Sequence, residues 1–177
     1  MFVLRLATRA DVPALRELID VSVRQLSVGF YSDAQIASAL QFVFGPDTNL
    51  IADGTYYVIE SNGLVAAGGW GRRRTLFGGD QTKLGDDPLL DPATEAARIR
   101  AFYVHPEFAR RGLARQLFER CAADAARAGY RSLELMATLP GEPLYRALGF
   151  VALEQHAAEL PDGQLLQLIR MSRSLSD

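Results

Sequence analysis

Two periods of apolar residues alternate along the chain, and their order predicts the elements. Positions 2–6 form a short apolar run that reads as a strand. Thr8 and Asp11 stand three apart, a capping-box spacing that opens a helix through about Leu26. Its stripe is Leu15, Leu18, Ile19, Ser22 and Leu26. A second helix starts at Ser32 with Gln35 in the box position and Tyr31 placed to staple onto Ile36. Ile36, Leu40, Val43 and Phe44 give it an apolar face, and Gly45-Pro46-Asp47 ends it.

The period then changes. Positions 55–60 and 64–70 read as a hairpin around Ser61-Asn62-Gly63, with Gly68 and Gly69 marking a bulge or a close backbone approach. The stretch 72–94 has Gly/Asp turns, two prolines and no sustained period, and is expected to be a partly mobile flap. Strands follow at 96–104 and 131–136, around a helix with Leu113, Leu117, Cys121 and Ala125 on one stripe and Gly129 at its end. A short helix over 142–148 closes at Gly149, and strands at 150–154 and 165–171 flank a turn at 160–163. This order predicts a single α/β (α+β) domain over residues 1–177, with a mixed, mostly antiparallel sheet flanked by helices.

Composition narrows the function classes. The net charge of −2 gives no electrostatic case for nucleic acid as the partner, and the two N-terminal helices lack a basic face, carrying Asp11, Glu17, Asp20 and Asp33. No apolar stretch is long enough to span a membrane, and the opening residues do not read as a signal peptide. A cytoplasmic location is expected, and a homodimer is left open. Cys121 is the sole cysteine, so no internal disulfide forms. His105 and His156 have no partner at ligand spacing, so no metal site is expected.

The chemistry concentrates in Phe102-Tyr103-Val104-His105-Pro106 and the residues after it. There a strand end turns at Pro106 and enters a helix through Arg110, Arg111, Gly112, Leu113, Ala114 and Arg115. Free amides of the first helical turn and the positive end of its dipole favour an anion. Gly112 and Ala114 leave room for a close approach, and three arginines surround the mouth. A pyrophosphate suits this arrangement best.

At these residues the chain resembles the GNAT superfamily of acyl-CoA N-acyltransferases. The family's Gln/Arg-x-x-Gly-x-Gly/Ala motif, preceded by Val-x-Pro, is matched by Val104-His105-Pro106, Gly112 and Ala114, while Ala109 departs at the first position. Leu144-Tyr145-Arg146-Ala147-Leu148-Gly149-Phe150 is similar to the family's Tyr-x-x-x-Gly-Phe ending. The resemblance implies an acyl-CoA cleft where the parallel strands 96–104 and 131–136 splay apart. Backbone near Phe102, Tyr103 and Val104 would hold the pantetheine arm, and amides from Arg110 to Arg115 the pyrophosphate.

It also implies acetyl transfer from acetyl-CoA to a primary amine by direct attack, with Tyr145 supplying a proton to the leaving thiolate. The open alternatives are a solvated helix end for the three arginines and a packing role for Tyr145. For the whole chain, the alternative is a non-catalytic acyl-CoA sensor. Glu95, Glu134 and Glu142 read as solvated carboxylates, and no base is assigned. Trp70, Tyr31 and Phe30 are expected to pack in the core, and Arg72, Arg73 and Arg74 to lie in a solvated loop.

Overall fold

Every apolar run expected as a strand joins one sheet in the computed structural model, which describes residues 1–176. The strands are β1 (Val3–Leu6), β2 (Tyr56–Glu60), β3 (Leu64–Gly71), β4 (Ala97–Val104), β5 (Ser132–Thr138), β6 (Val151–Glu159) and β7 (Leu165–Ser174). Their order is β1-β2-β3-β4-β5-β7-β6, and every neighbouring pair is antiparallel except β4–β5. The helices are α1 (Val12–Leu26), α2 (Asp33–Phe42), α3 (Thr48–Ala52), α4 (Leu113–Arg127) and α5 (Glu142–Ala147).

The sheet is covered on both faces. Leu113, Leu117, Phe118, Cys121 and Ala125 of α4 are buried against Ile59, Val65, Ile99, Leu133 and Leu135. On the other face, Ile19 and Val23 of α1 and Ile36 and Ala39 of α2 pack with Leu166 and Leu168. The capping box at Ser32 forms as expected, with the Gln35 amide donating to Ser32 Oγ. Tyr31 is buried, but it acts as a hydrogen-bonded bridge. Its hydroxyl donates to the Gln167 carbonyl at 2.6 Å and accepts from the Leu139 amide at 2.9 Å.

Three features differ from the expectation. Asp47 caps the short helix α3, accepting from the amides of Asn49 and Leu50, where only the end of the preceding helix was expected. β6 runs past its expected end because Gln155 and His156 lie on an edge strand that tolerates polar side chains, and β7 does so because Ser172, Arg173 and Ser174 pair with Glu134, Leu133 and Ser132 of β5. The aperiodic stretch 72–94 is tied down by side chains. Arg73 donates to both Asp53 carboxylate oxygens, Thr75 to Asp87 through its amide and hydroxyl, and Leu90 is buried. Its only helical piece is a 3-10 turn, Asp80–Thr82.

Candidate functional site

The parallel ladder between β4 and β5 has two residue pairs, Ala97↔Leu133 and Arg98↔Glu134. Beyond Arg98 the strands part, and the β4 edge facing β5 has no ladder partner. On its other edge β4 carries one extra residue. Ala67 pairs with Tyr103 but Gly69 with Arg100, and Ala101 takes φ +54°. This bulge resets the alternation of faces. Phe102 and Val104 turn to the α4 side, and Tyr103 to the α1/α2 side. Phe102 then lies over Gly68, where a Cβ would come within 2.6 Å of its ring. Both glycines thus serve a close approach, since a Cβ on Gly69 would meet the Thr55 carbonyl at 2.7 Å, while the extra residue of the bulge lies opposite them on β4.

A cavity of about 240 Å³ opens where the strands part. Phe102, Val104, Leu144 and Tyr145 line it from the α4 side, and Val23, Phe44, Phe77, Tyr103 and Met136 from the opposite side. It therefore passes through the sheet. Ala114, in the first turn of α4, also lines it.

The turn into α4 is built for backbone contacts. Pro106–Phe108 forms a 3-10 turn capped by His105, whose Nδ1 accepts from the Glu107 amide. Arg110 and Gly112 both have positive φ, +62° and +80°. Gln116 makes the first amide bond back to this turn, to the Gly112 carbonyl. Among the described residues, the amides at 110–115 have no partner within the protein, and a Cβ on Gly112 would meet nothing within 4 Å. The geometry fits an anion held by several amides at a helix N-terminus.

Side chains there divide. Leu113 is a core residue, so its amide alone faces the mouth. Arg110, Arg111 and Arg115 are exposed, and Arg111 lies 5.1 Å over the Phe108 ring.

Tyr145, on α5, packs edge-to-face against Phe102 and Phe150, with centroids 6.4 and 5.9 Å apart. Its hydroxyl has no hydrogen-bond partner among the described residues, although the ring lines the cavity. Burial, with a smaller contribution from Cys121, pushes its pKa well above the ordinary tyrosine range. Tyr103 is shifted the same way, again mainly by burial. Both phenols are therefore protonated at neutral pH.

The carboxylates considered from the sequence do not line the cavity. Glu134 is held by Arg98 at 3.2 Å and Arg170 at 3.0 Å, Glu142 by Arg146 at 2.6 Å, and Glu95 accepts from the Asp91 amide at 2.8 Å. Trp70 is in the core as expected, whereas Phe30 is half exposed. Arg72 stacks on Trp70 at 5.1 Å and Arg73 is paired, so the arginine run is not freely solvated.

Arg100 escaped sequence reasoning. It is 5% exposed and donates to Asp47 at 2.8 Å and to the carbonyls of Thr75 and Gly78. Lys83 pairs with the same Asp47. The cluster fastens residues 75–79 beside the cavity. Phe44, Phe77 and Met136 were also missed as wall residues.

The model of the acetyltransferase (GNAT) domain matches residues 52–152, more than half of the chain. No curated protein sequence matches significantly. Among solved structures, a GCN5-related N-acetyltransferase from Rhodopseudomonas palustris is similar at 19% identity and TM-score 0.70, covering 97% of this chain and 94% of that one. YncA from Salmonella typhimurium, in a structure with its cofactor acetyl-CoA, is similar at 21% identity and TM-score 0.63, over 100% of this chain and 95% of its own. The PaiA N-acetyltransferase from Thermoplasma acidophilum, in complex with coenzyme A, is similar at 10% identity and TM-score 0.64, covering 98% and 99%. At these identities the likeness is one of fold. Among the described residues no helix is long and apolar enough to cross a membrane, and no group of three His, Cys, Asp or Glu is placed to hold a metal ion.

Proposed function

The chain belongs to the GNAT acetyltransferase family, and we propose that it transfers the acetyl group of acetyl-CoA to a primary amine by direct attack in a ternary complex. The observation carrying this reading is the cavity through the sheet, which joins the partner-free turn of α4 to the unbonded Tyr145. The YncA and PaiA structures, which hold acetyl-CoA and coenzyme A, support the choice of donor. A cytoplasmic location is part of the same reading.

In this reading the amides of Arg110, Arg111, Gly112, Leu113, Ala114 and Arg115 take the pyrophosphate. The open β4 edge at Phe102, Tyr103 and Val104 takes the pantetheine amides as an added strand would. Acetyl-CoA supplies the activated acyl group. Tyr145 gives a hydrogen bond, and then a proton, to the departing sulfur, and takes back a proton released by the acylated nitrogen. The raised pKa of Tyr145 keeps its own proton in place until charge develops on the sulfur.

Gly112→Val tests the site. A β-branched residue at φ +80° carries about 1–2 kcal/mol of backbone strain, or about 2–8 °C in Tm, and its side chain projects into the open mouth. Acetyl-CoA at about a hundred times its Kd should stabilise the parent by about 2.7 kcal/mol and leave the variant unmoved. Equal stabilisation of both proteins would place donor binding elsewhere and end this reading.

A further inference from the structure

The acceptor half of the cavity is defined by what lines it on the α1/α2 side. Val23, Phe44, Phe77, Tyr103 and Met136 make an apolar, largely aromatic wall, and the hydroxyl side chains of Ser22, Ser27 and Thr138 are its polar points. Among the described residues the cavity lining holds no carboxylate, imidazole, thiol or lysine. Its titratable groups are Arg100, Tyr103 and Tyr145.

Arg100 is committed to Asp47, Thr75 and Gly78, and both phenols hold their protons. Of the groups outside the lining, Asp47 is paired with Arg100 and Lys83 and Glu134 with Arg98 and Arg170, while His156 is exposed and forms an edge-to-face pair with Phe77 at 5.9 Å without lining the cavity. Cys121, behind Tyr145, is buried in the core.

An ammonium entering such a wall loses its hydration without gaining a counter-charge, which is costly. It would also find no group able to take its proton. The transfer itself needs none from a neutral amine. The nitrogen–carbonyl bond forms, the carbon–sulfur bond breaks, and one amine proton ends on the thiol. An ammonium must first release an additional proton to solvent.

We infer, resting on the acetyltransferase reading, that the acceptor is a weakly basic primary amine on an apolar, aromatic body, bound as the neutral amine. An α-amino group with pKa about 7.7–8.0 is about one-third neutral at pH ~7.5, against about one in a thousand for an alkylamine near 10.4. The difference in usable acceptor is on the order of two hundredfold.

Phenylalaninamide and 2-phenylethylamine carry the same ring and differ in amine basicity, and spermidine supplies a polycation without a ring. Thiol release from acetyl-CoA is followed for each from about pH 6 to pH 9, alongside thermal stabilisation by acetyl-CoA alone. The expected kcat/KM at pH ~7.5 is at least tenfold higher for phenylalaninamide than for 2-phenylethylamine, with spermidine lowest. The 2-phenylethylamine rate should climb about tenfold per pH unit without a plateau, and the phenylalaninamide rate should flatten above about pH 8.

Equal or faster use of 2-phenylethylamine or spermidine at pH ~7.5 overturns the inference, as does a plateau near pH 6–7 that reveals an enzyme base. So does no turnover of any amine by a protein that acetyl-CoA still stabilises. Loss of that stabilisation is a separate result, and it removes the acetyltransferase reading itself.

Discussion

Tyr145→Phe separates the phenol's chemistry from its packing. The ring contacts with Phe102 and Phe150 are edge-to-face and involve no oxygen, so they survive the change. The hydroxyl has no partner among the described residues, so no hydrogen bond is lost on removing it. Folding stability should stay within about 0.5 kcal/mol of the parent, a Tm shift of no more than about 2 °C. The transition state is another matter, because a hydroxyl at the leaving sulfur contributes more as negative charge develops. Loss of ~1.4–4 kcal/mol there lowers kcat by roughly ten- to a thousandfold, with the affinity for acetyl-CoA little changed. The assay is thiol release under saturating acetyl-CoA, paired with single-turnover measurements that isolate the chemical step. A variant as fast as the parent when chemistry is rate-limiting would make Tyr145 a wall of the cleft. A parent and variant that both bind acetyl-CoA and turn over no amine would identify a sensor.

Two further outcomes are expected. Arg100→Met leaves Asp47, 1% exposed, with Lys83 as its only cationic partner among the described residues, so it should cost about 3 kcal/mol, or about 6–12 °C in Tm, and raise amide exchange across residues 75–79. A loss below about 1 kcal/mol with unchanged exchange would show that the cluster does not fasten that loop. All six tyrosines have pKa values raised by burial, so the stability this represents is complete below the unfolded value of about 10 and is lost as pH rises above it. Denaturant midpoints should fall above about pH 10, with phenolate absorbance appearing together with unfolding; independent titration of all six near pH 10 in the folded protein would refute this.

The reach of the sequence can be judged residue by residue. Strand and helix periods are local, so all seven strands and the α4 stripe could be read from them, as could the Gly112 turn, whose residues are contiguous. α3 went unread because five residues carry too little period and its cap, Asp47, sits in a Gly-Pro-Asp helix stop. Arg100 belongs to an alternation that elsewhere marks a solvent face, and its burial depends on Asp47, 53 residues away. The ties of the stretch 72–94 could not be read because they are side-chain bonds to distant residues, which leave no periodic trace. The cavity walls failed for a related reason. Phe44 and Phe77 come to line one cavity from segments far apart in sequence, and the facing of Phe102 and Tyr103 follows from a bulge at an ordinary alanine.

The brief β4–β5 ladder has a mechanical meaning for the whole molecule. Strands β1 to β4 form one plate and β5, β7 and β6 another, and only two residue pairs stitch the plates edge to edge. The rest of the join is side-chain packing, much of it through α4, which rests on both plates. A donor lying along the open edge of β4 would act as a splint across this seam. Its binding energy would then be spent partly on holding the plates at one angle, so that the walls of the acceptor chamber take their working spacing only with the donor in place. Order of substrate addition would, on this view, be written into the number of rungs in one ladder.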